Sequence, residues 1–335
     1  MAEGFVHAHA SHCESGVMSS LLRHCGMPMS EAMAFGLSSA LCFAYLPCIR
    51  LNGLPLIAFR MPPGAIIKGL HRGLGLGMRF ETFRSPEAGT ERLNELLDCG
   101  KLVGLQTSVF WLPYFPPDLR FHFNAHNLLV YGREGDDYLV SDPVAEMPVR
   151  CARRDLEKAR FAKGAFAPRG RLYYATNAPA PADLARLGRR ALARTARIML
   201  DAPLPLIGVR GIGFLARAVE RLPIADGGGP ARLYMGHIVR MQEETGTGGA
   251  GFRFMYAAFL QELAAATAYP PLRGLAERLV AIGDQWQEFA IAAARMIKRR
   301  DPLEPPRLAT LLRGLAAEER SFFRDLRAAQ LAWNP

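Results

Sequence analysis

Cysteine, glutamate and serine stand together at the mouth of an amphipathic pattern in His12-Cys13-Glu14-Ser15-Gly16, with Val17, Met18, Leu21 and Leu22 on its apolar side. The spacing predicts a helix over about 14–25. A helix N-terminus favours negative charge, so a thiol placed there is held closer to thiolate, the form that attacks a carbonyl. Such a nucleophile needs a base. The stretch FHFNAHNLLVYGREGDDYLVSDP offers one, because two strand-like runs flank Glu134-Gly135-Asp136, a hairpin signal. A turn centred near Gly135 pairs residues whose numbers sum to about 270, which sets Asp142 opposite Leu128 and His126 opposite Val144. A slip of about one or two residues brings His126 and Asp142 alongside each other. Asp142 would then hold the imidazole ring and stabilise its charged form. His126 would keep Cys13 as thiolate and shuttle protons, and the Cys13 N–H would help to hold a tetrahedral oxyanion. Spacing alone leaves the bland reading open, in which Cys13 is core filler and the triad an accident of composition.

Other residues carry rival readings. His7, His9 and His12 form HxHxxH, and His122 and His126 sit four apart, so a metal is conceivable. However, His122, Asn124 and His126 alternate with Phe121, Phe123 and Ala125, as in a half-buried strand. That puts His122 and Asn124 on the His126 side as walls of a substrate site. His7 and His12 line the same site from an N-terminal arm, or are simply solvated. Trp111, Tyr114 and Phe115, just before the histidine strand, either wall an acyl pocket or pack. Gly246, Gly248 and Gly251 spell GxGxxG, but Leu233–Glu244 ahead of them reads as helix, and a dinucleotide fold needs a strand there. This is then a plain loop between helices, or a helix mouth that binds a phosphate with Arg253. Arg186, Arg190, Arg194 and Arg197 line one helix face, as a solvated surface or a dock for an acidic partner. Cys25, Cys42, Cys48, Cys99 and Cys151 read as small core residues.

The elements that must position these groups follow from the rest of the chain. Its 335 residues are half hydrophobic, enough for two domains with sizeable cores. The net charge is +10, and the part after residue 178 carries 22 basic against 15 acidic residues. A basic surface suits an acidic partner. With no zinc finger or RNA-binding signature, nucleic acid ranks low among such partners. Six scattered cysteines without a CxxC pair suit reduced thiols in a cytoplasm, and no signal peptide is apparent. The uncharged run from Ala32 to Ile49 contains Gly36, Ser38, Ser39 and Pro47, and reads as a buried helix entering an apolar strand, with no membrane span. Ser30 caps a helix from Glu31. Strands follow at Leu54–Arg60, Met78–Phe83 and Leu102–Trp111, with a helix over Pro86–Cys99. After the linker NAPAPAD (177–183), almost everything reads as helix. The class is α+β, divided into residues 1–178 and 179–335.

The stretches HCESGVMSSLLRHCG, SEAMAFGLSSALCFAYL, AHNLLVYG, VSDP and GTGGAGFRFMYAAFLQELA resemble the butirosin biosynthesis protein H family. More distantly, the order Cys, His, Asp resembles the papain-like, leader-peptide-cleaving cysteine peptidases of bacteria. The resemblance implies a papain-like catalytic domain over 1–178 followed by an all-α domain over 179–335. It implies an acyltransferase of natural-product biosynthesis that takes an acyl group from an acidic acyl carrier protein and gives it to an amine or another small-molecule nucleophile. Cys13 becomes nucleophile, His126 base and Asp142 orienter, with no resident cofactor or metal. The phosphopantetheine arm arrives with the carrier. Papain-like proteases place an oxyanion glutamine about six residues before the cysteine; here His7 stands there. The rivals are a peptidase, thioesterase or amide hydrolase with water as acceptor, and a non-catalytic scaffold that binds an acidic partner.

Overall fold

Helix α1 (Cys13–His24) begins where the sequence places its start. His12 is extended, with φ −128° and ψ 131°, and its ring accepts the Ser15 N–H, while Glu14 occupies the first turn. The computed structural model describes residues 1–333 apart from Asn52 and Ala180, the latter inside the expected linker. After α1 come α2 (Glu31–Leu37), the hairpin β1 (Leu41–Leu51) and β2 (Leu54–Arg60), α3 (Ala65–Gly73) and β3 (Met78–Glu81). Next are α4 (Pro86–Asp98), β4 (Val103–Thr107), β5 (His126–Glu134), β6 (Asp137–Ser141), β7 (Val149–Ala152), α5 (Arg153–Arg160) and β8 (Leu172–Ala175). Ser30 and Ser85 cap the first turns of α2 and α4, accepting from the N–H groups of Met33 and Ala88.

The chain divides into two units. Met1–Ala34 and Ile66–Ala182 form the first; Phe35–Ala65 and Asp183–Pro335 form the second. In the first, an antiparallel six-stranded sheet runs in the order β3-β8-β4-β5-β6-β7. Its core joins Leu93, Leu96 and Leu97 of α4 and Leu156 and Ala159 of α5 to Leu105, Leu128, Val130, Val140 and Leu172 of the sheet. Helix α1 packs against β5. The β5–β6 hairpin turns at Gly135, whose φ of +60° suits glycine. Near the turn Glu134 pairs with Asp137. A bulge between Val130 and Gly132 then shifts the register, so that Val130 pairs with Val140 and Leu129 with Ser141, the spacing the sequence predicts for the far end.

The second unit holds α6 (Leu184–Asp201), α7 (Val209–Glu220), α8 (Gly229–Glu243), α9 (Arg253–Thr267), α10 (Pro271–Ile297) and α11 (Pro305–Ala332). The β1–β2 hairpin belongs here, unlike in the division at residue 178. Its reason is hydrophobic: Phe43 and Phe59 are buried and pack as rings on Trp286 of α10. Mixed α and β architecture, sheet-rich ahead of a helical C-terminal half, is the expected class. Two strand readings fail. The run Leu102–Trp111 leaves the sheet after Thr107 and ends in a 3-10 turn (Val109–Trp111), and residues 121–125 are not strand. The uncharged run from Ala32 divides into α2 and β1, and among the described residues no helix is long and apolar enough to cross a membrane.

Candidate active site

Three elements of the first unit converge on one point. Helix α1 begins at Cys13, β5 begins at His126, and Asp142 follows the last residue of β6. His126 Nε2 lies 2.6 Å from Asp142 Oδ2, with both side chains buried. Cys13 lies near enough to the ring to favour its charged form. Because Asp142 occupies Nε2, Nδ1 is the nitrogen left for sulfur. A cysteine at the start of a helix thus stands by a histidine at the start of a strand, with the aspartate just past the neighbouring strand. Burial opposes charge on the ring, but the charge and hydrogen bond of Asp142, followed by Cys13, outweigh it and lift His126 to about 10. At neutral pH the ring is thus held in its charged form, beside a cysteine at a helix N-terminus.

The carboxylate is itself held. Its Oδ1 accepts the Val144 N–H at 3.2 Å, and its Oδ2 also accepts from the Tyr114 hydroxyl at 2.7 Å. The Phe115 ring stands edge-on to the His126 ring, with centroids 5.5 Å apart. Sequence reasoning named Tyr114 and Phe115 as pocket walls or as packing, without a tie to Asp142. Nothing in their spacing shows that the connection between β4 and β5 doubles back over the histidine. The roles of two glutamates, buried Glu14 and half-buried Glu31, were missed. Glu14 Oε1 accepts the Ile66 and Ile67 N–H groups at 2.9 and 3.2 Å, which caps α3. Glu31 accepts the Ser11 and His12 N–H groups and the Ser15 hydroxyl, clamping the turn that delivers Cys13. Burial raises the Glu31 carboxyl above its usual range, against those donors. Gly16 permits a close approach: a Cβ there would lie 2.6 Å from those of Ala10 and Pro143, the residue after Asp142.

The remaining predicted site residues are placed otherwise. His7 bonds Ser141 Oγ through Nδ1 at 2.7 Å and the Ala145 carbonyl through Nε2 at 3.0 Å, so both nitrogens tie the N-terminal arm to the Asp142 turn and neither is left for an oxyanion. His12 is buried and caps α1. His122 is exposed and stacks on Phe110, because its segment, despite its alternating residues, is not strand. Asn124 is buried and donates to the carbonyls of Lys163 and Ala165. Trp111 is 37% exposed, under the Lys158 ammonium. Arg253, in the second unit, is fully buried. It donates to both Glu319 oxygens, at 2.8 and 3.0 Å, and to the Gly251 carbonyl, which leaves it no face for a phosphate. The glycine loop ahead of it is packed, with Ala250, Gly251 and Phe252 buried. Among the described residues no cluster of His, Cys, Asp or Glu could hold a metal ion, and all six thiols are free.

Just over half of the chain, residues 154–326, matches the family model described as a domain of unknown function, DUF4872, and residues 12–143 match that described as butirosin biosynthesis protein H, N-terminal. The chain belongs to the DUF4872 family and carries a butirosin biosynthesis protein H-like N-terminal domain. The second model spans Cys13, His126 and Asp142 together. The changeover between models, at residues 143–154, falls inside the first unit rather than at the linker. A solved structure described as a C39-like peptidase from Bacillus anthracis is 12% identical, with a TM-score of 0.38, over 53% of this chain and 96% of that one. No curated protein matches the chain. In this DUF4872 chain, sulfur, imidazole and carboxylate thus meet inside a single unit.

Proposed function

We propose that the protein is a cysteine-dependent acyltransferase of natural-product biosynthesis. It moves an acyl group from an acyl carrier protein thioester to an amine or related nucleophile through an acyl-Cys13 intermediate. The observation that carries this reading is the buried His126–Asp142 pair, 2.6 Å apart, with Cys13 beside the ring at a helix N-terminus. Cys13 thiolate adds to the thioester carbonyl carbon. As the tetrahedral species collapses, the carbon–sulfur bond to the carrier arm breaks and the His126 imidazolium gives its proton to the departing thiolate. The amine then adds to the acyl-Cys13 carbonyl, neutral His126 takes the amine's proton, and Cys13 leaves as thiolate. Atoms and charges balance, and the resting pair is restored.

The Cys13 N–H, among the first-turn donors without a partner inside the helix, serves the oxyanion. His7, at the place of the glutamine, is tied to Ser141 and Ala145 and adds no donor to that oxygen. A thioester is already activated, so this supports acyl transfer over proteolysis. The phosphopantetheine arm is substrate, brought by the carrier. Free thiols suit a reducing cytoplasm.

The test is intact mass spectrometry after mixing the chain with butyryl-pantetheine and with a butyryl-loaded acyl carrier protein. Wild type gains the butyryl mass, loses it when an amine is added with formation of the amide, and Cys13→Ala gains nothing. No adduct from either thioester overturns the reading. Loss of the adduct to water alone, amine or no amine, assigns hydrolysis instead.

A further inference from the structure

Asp142 Oδ2 carries two donors where the triad accounts for one. The His126 ring nitrogen is 2.6 Å away and the Tyr114 hydroxyl 2.7 Å. Tyr114 reaches this oxygen because the connection between β4 and β5 folds back, with two 3-10 turns (Val109–Trp111 and Pro117–Leu119) on either side of it. Its neighbour Phe115 is set against the same imidazole. Burial first, and then Asp142, hold the Tyr114 phenol well above its ordinary range, so it stays a donor at any working pH.

A donor on a carboxylate is worth most when the carboxylate has no cation to neutralise it. With His126 charged, Asp142 already has its counter-ion. With His126 neutral, the ring still donates Nε2–H but carries no charge, and the Tyr114 hydroxyl is the second side-chain donor that steadies the carboxylate. The phenol therefore favours the deprotonated ring relative to the protonated one. The other titratable groups facing this point include Cys13 from α1, which favours the charged ring, Cys151 from β7, which burial keeps neutral at about 12, and His7 of the N-terminal arm, held by Ser141 and Ala145.

We infer that Tyr114 is a positioning residue of the site: its hydroxyl fixes Asp142 Oδ2 in line with His126 and takes a share of its charge, so that the ring can give its proton back. This matters because the proposed reaction uses His126 twice, as acid toward the departing thiol and as base toward the amine. A ring gripped too tightly by Asp142 would serve the first step poorly and the second hardly at all. The inference rests on reading His126 as that acid and base, but its test is arranged to stand apart from acyl transfer.

The experiment follows the His126 ring by NMR in the full chain labelled at histidine, in a Cys13→Ala background, with the resonance assigned by its loss in His126→Gln. Tyr114→Phe should raise the His126 midpoint by about half a pH unit to one pH unit. Placing 3-fluorotyrosine at position 114, a stronger donor of nearly the same shape, should lower it. In the Cys13-containing chain, Tyr114→Phe should reduce kcat with butyryl-pantetheine about tenfold at unchanged KM. A midpoint that neither change moves, or that moves the other way, overturns the inference even if Tyr114→Phe is less stable, since a purely structural tyrosine would cost stability without altering the titration. Should the midpoint move as expected while no acyl-Cys13 forms, the acyltransferase reading falls and the role of Tyr114 toward Asp142 stands. Should acyl-Cys13 form while the midpoint stays fixed, the reverse holds.

Discussion

His126 is the residue on which charge, burial and geometry meet. An imidazole in water gives up its proton near 6.5; here Asp142 and Cys13 overcome the burial penalty and hold it to about 10. The folded state therefore favours the charged ring. That contribution to stability is whole below about 6.5 and is lost as pH climbs through about 10, at roughly 1.4 kcal/mol for each pH unit crossed between them. Wild type should accordingly lose stability relative to His126→Gln between those limits. The gap should close on the alkaline side, as denaturant midpoints measured at stepped pH would show. A gap that stays constant across the window would mean the ring is not charged in the native state. At this scale the sequence was legible in kind: a cysteine at a helix mouth and a histidine and aspartate flanking a glycine turn could be found by spacing. The phenol on Asp142 could not, because it depends on the path of an irregular connection that no periodicity marks.

Elements decide whether those residues meet. The hairpin register was readable because a two-residue turn fixes pairing, and the bulge at Val130/Gly132 returns the far end to the simple count. Alternation misled at 121–125, where aromatic and polar residues take turns without a strand to carry them. Close approach of α1 to the Asp142 turn rests on Gly16. Gly16→Ala should force Pro143 away, lower stability by about 1–3 kcal/mol and reduce acyl-Cys13 formation out of proportion to that loss. Chemical denaturation and intact mass read the two effects separately, and an unchanged rate of acylation would show that the turn can yield. Helix α6 makes a different demand. Arg186, Arg190, Arg194 and Arg197 are all exposed at helical spacing, where like charges repel. If the carrier docks there, changing Arg186, Arg190 and Arg194 to Glu should cut kcat/KM for the butyryl-loaded carrier by about tenfold or more. It should also flatten the salt dependence and leave butyryl-pantetheine turnover alone. Equal losses with both substrates would exclude α6 as the dock.

Across the whole chain, the two units are not two consecutive lengths of sequence. The hairpin 35–65 is sequentially early but belongs to the helical unit. Nothing in its residue pattern hints at this, because Phe43 and Phe59 look as fit for any core as for the one they join. Arg253 went astray for the same reason. A cation at a helix mouth after GxGxxG reads as a phosphate ligand, yet its partner Glu319 lies 66 residues on, and the ion pair is sealed beneath Phe59 and Trp286. The Trp286 indole donates to the same Glu319 oxygen at 2.7 Å, so three buried N–H donors from two side chains depend on one carboxylate. Taking away one partner of such a pair leaves an uncompensated charge, at a cost of about 3–5 kcal/mol. Arg253→Met should therefore destabilise the protein by about that amount. The double variant Arg253→Met/Glu319→Leu should be more stable than Arg253→Met alone, although Trp286 then lacks its acceptor. Both follow from denaturant titrations. If Arg253→Met proved harmless while weakening turnover of the carrier-bound thioester, Arg253 would be a ligand for phosphate after all, and its burial against Glu319 would be one state of a site that opens.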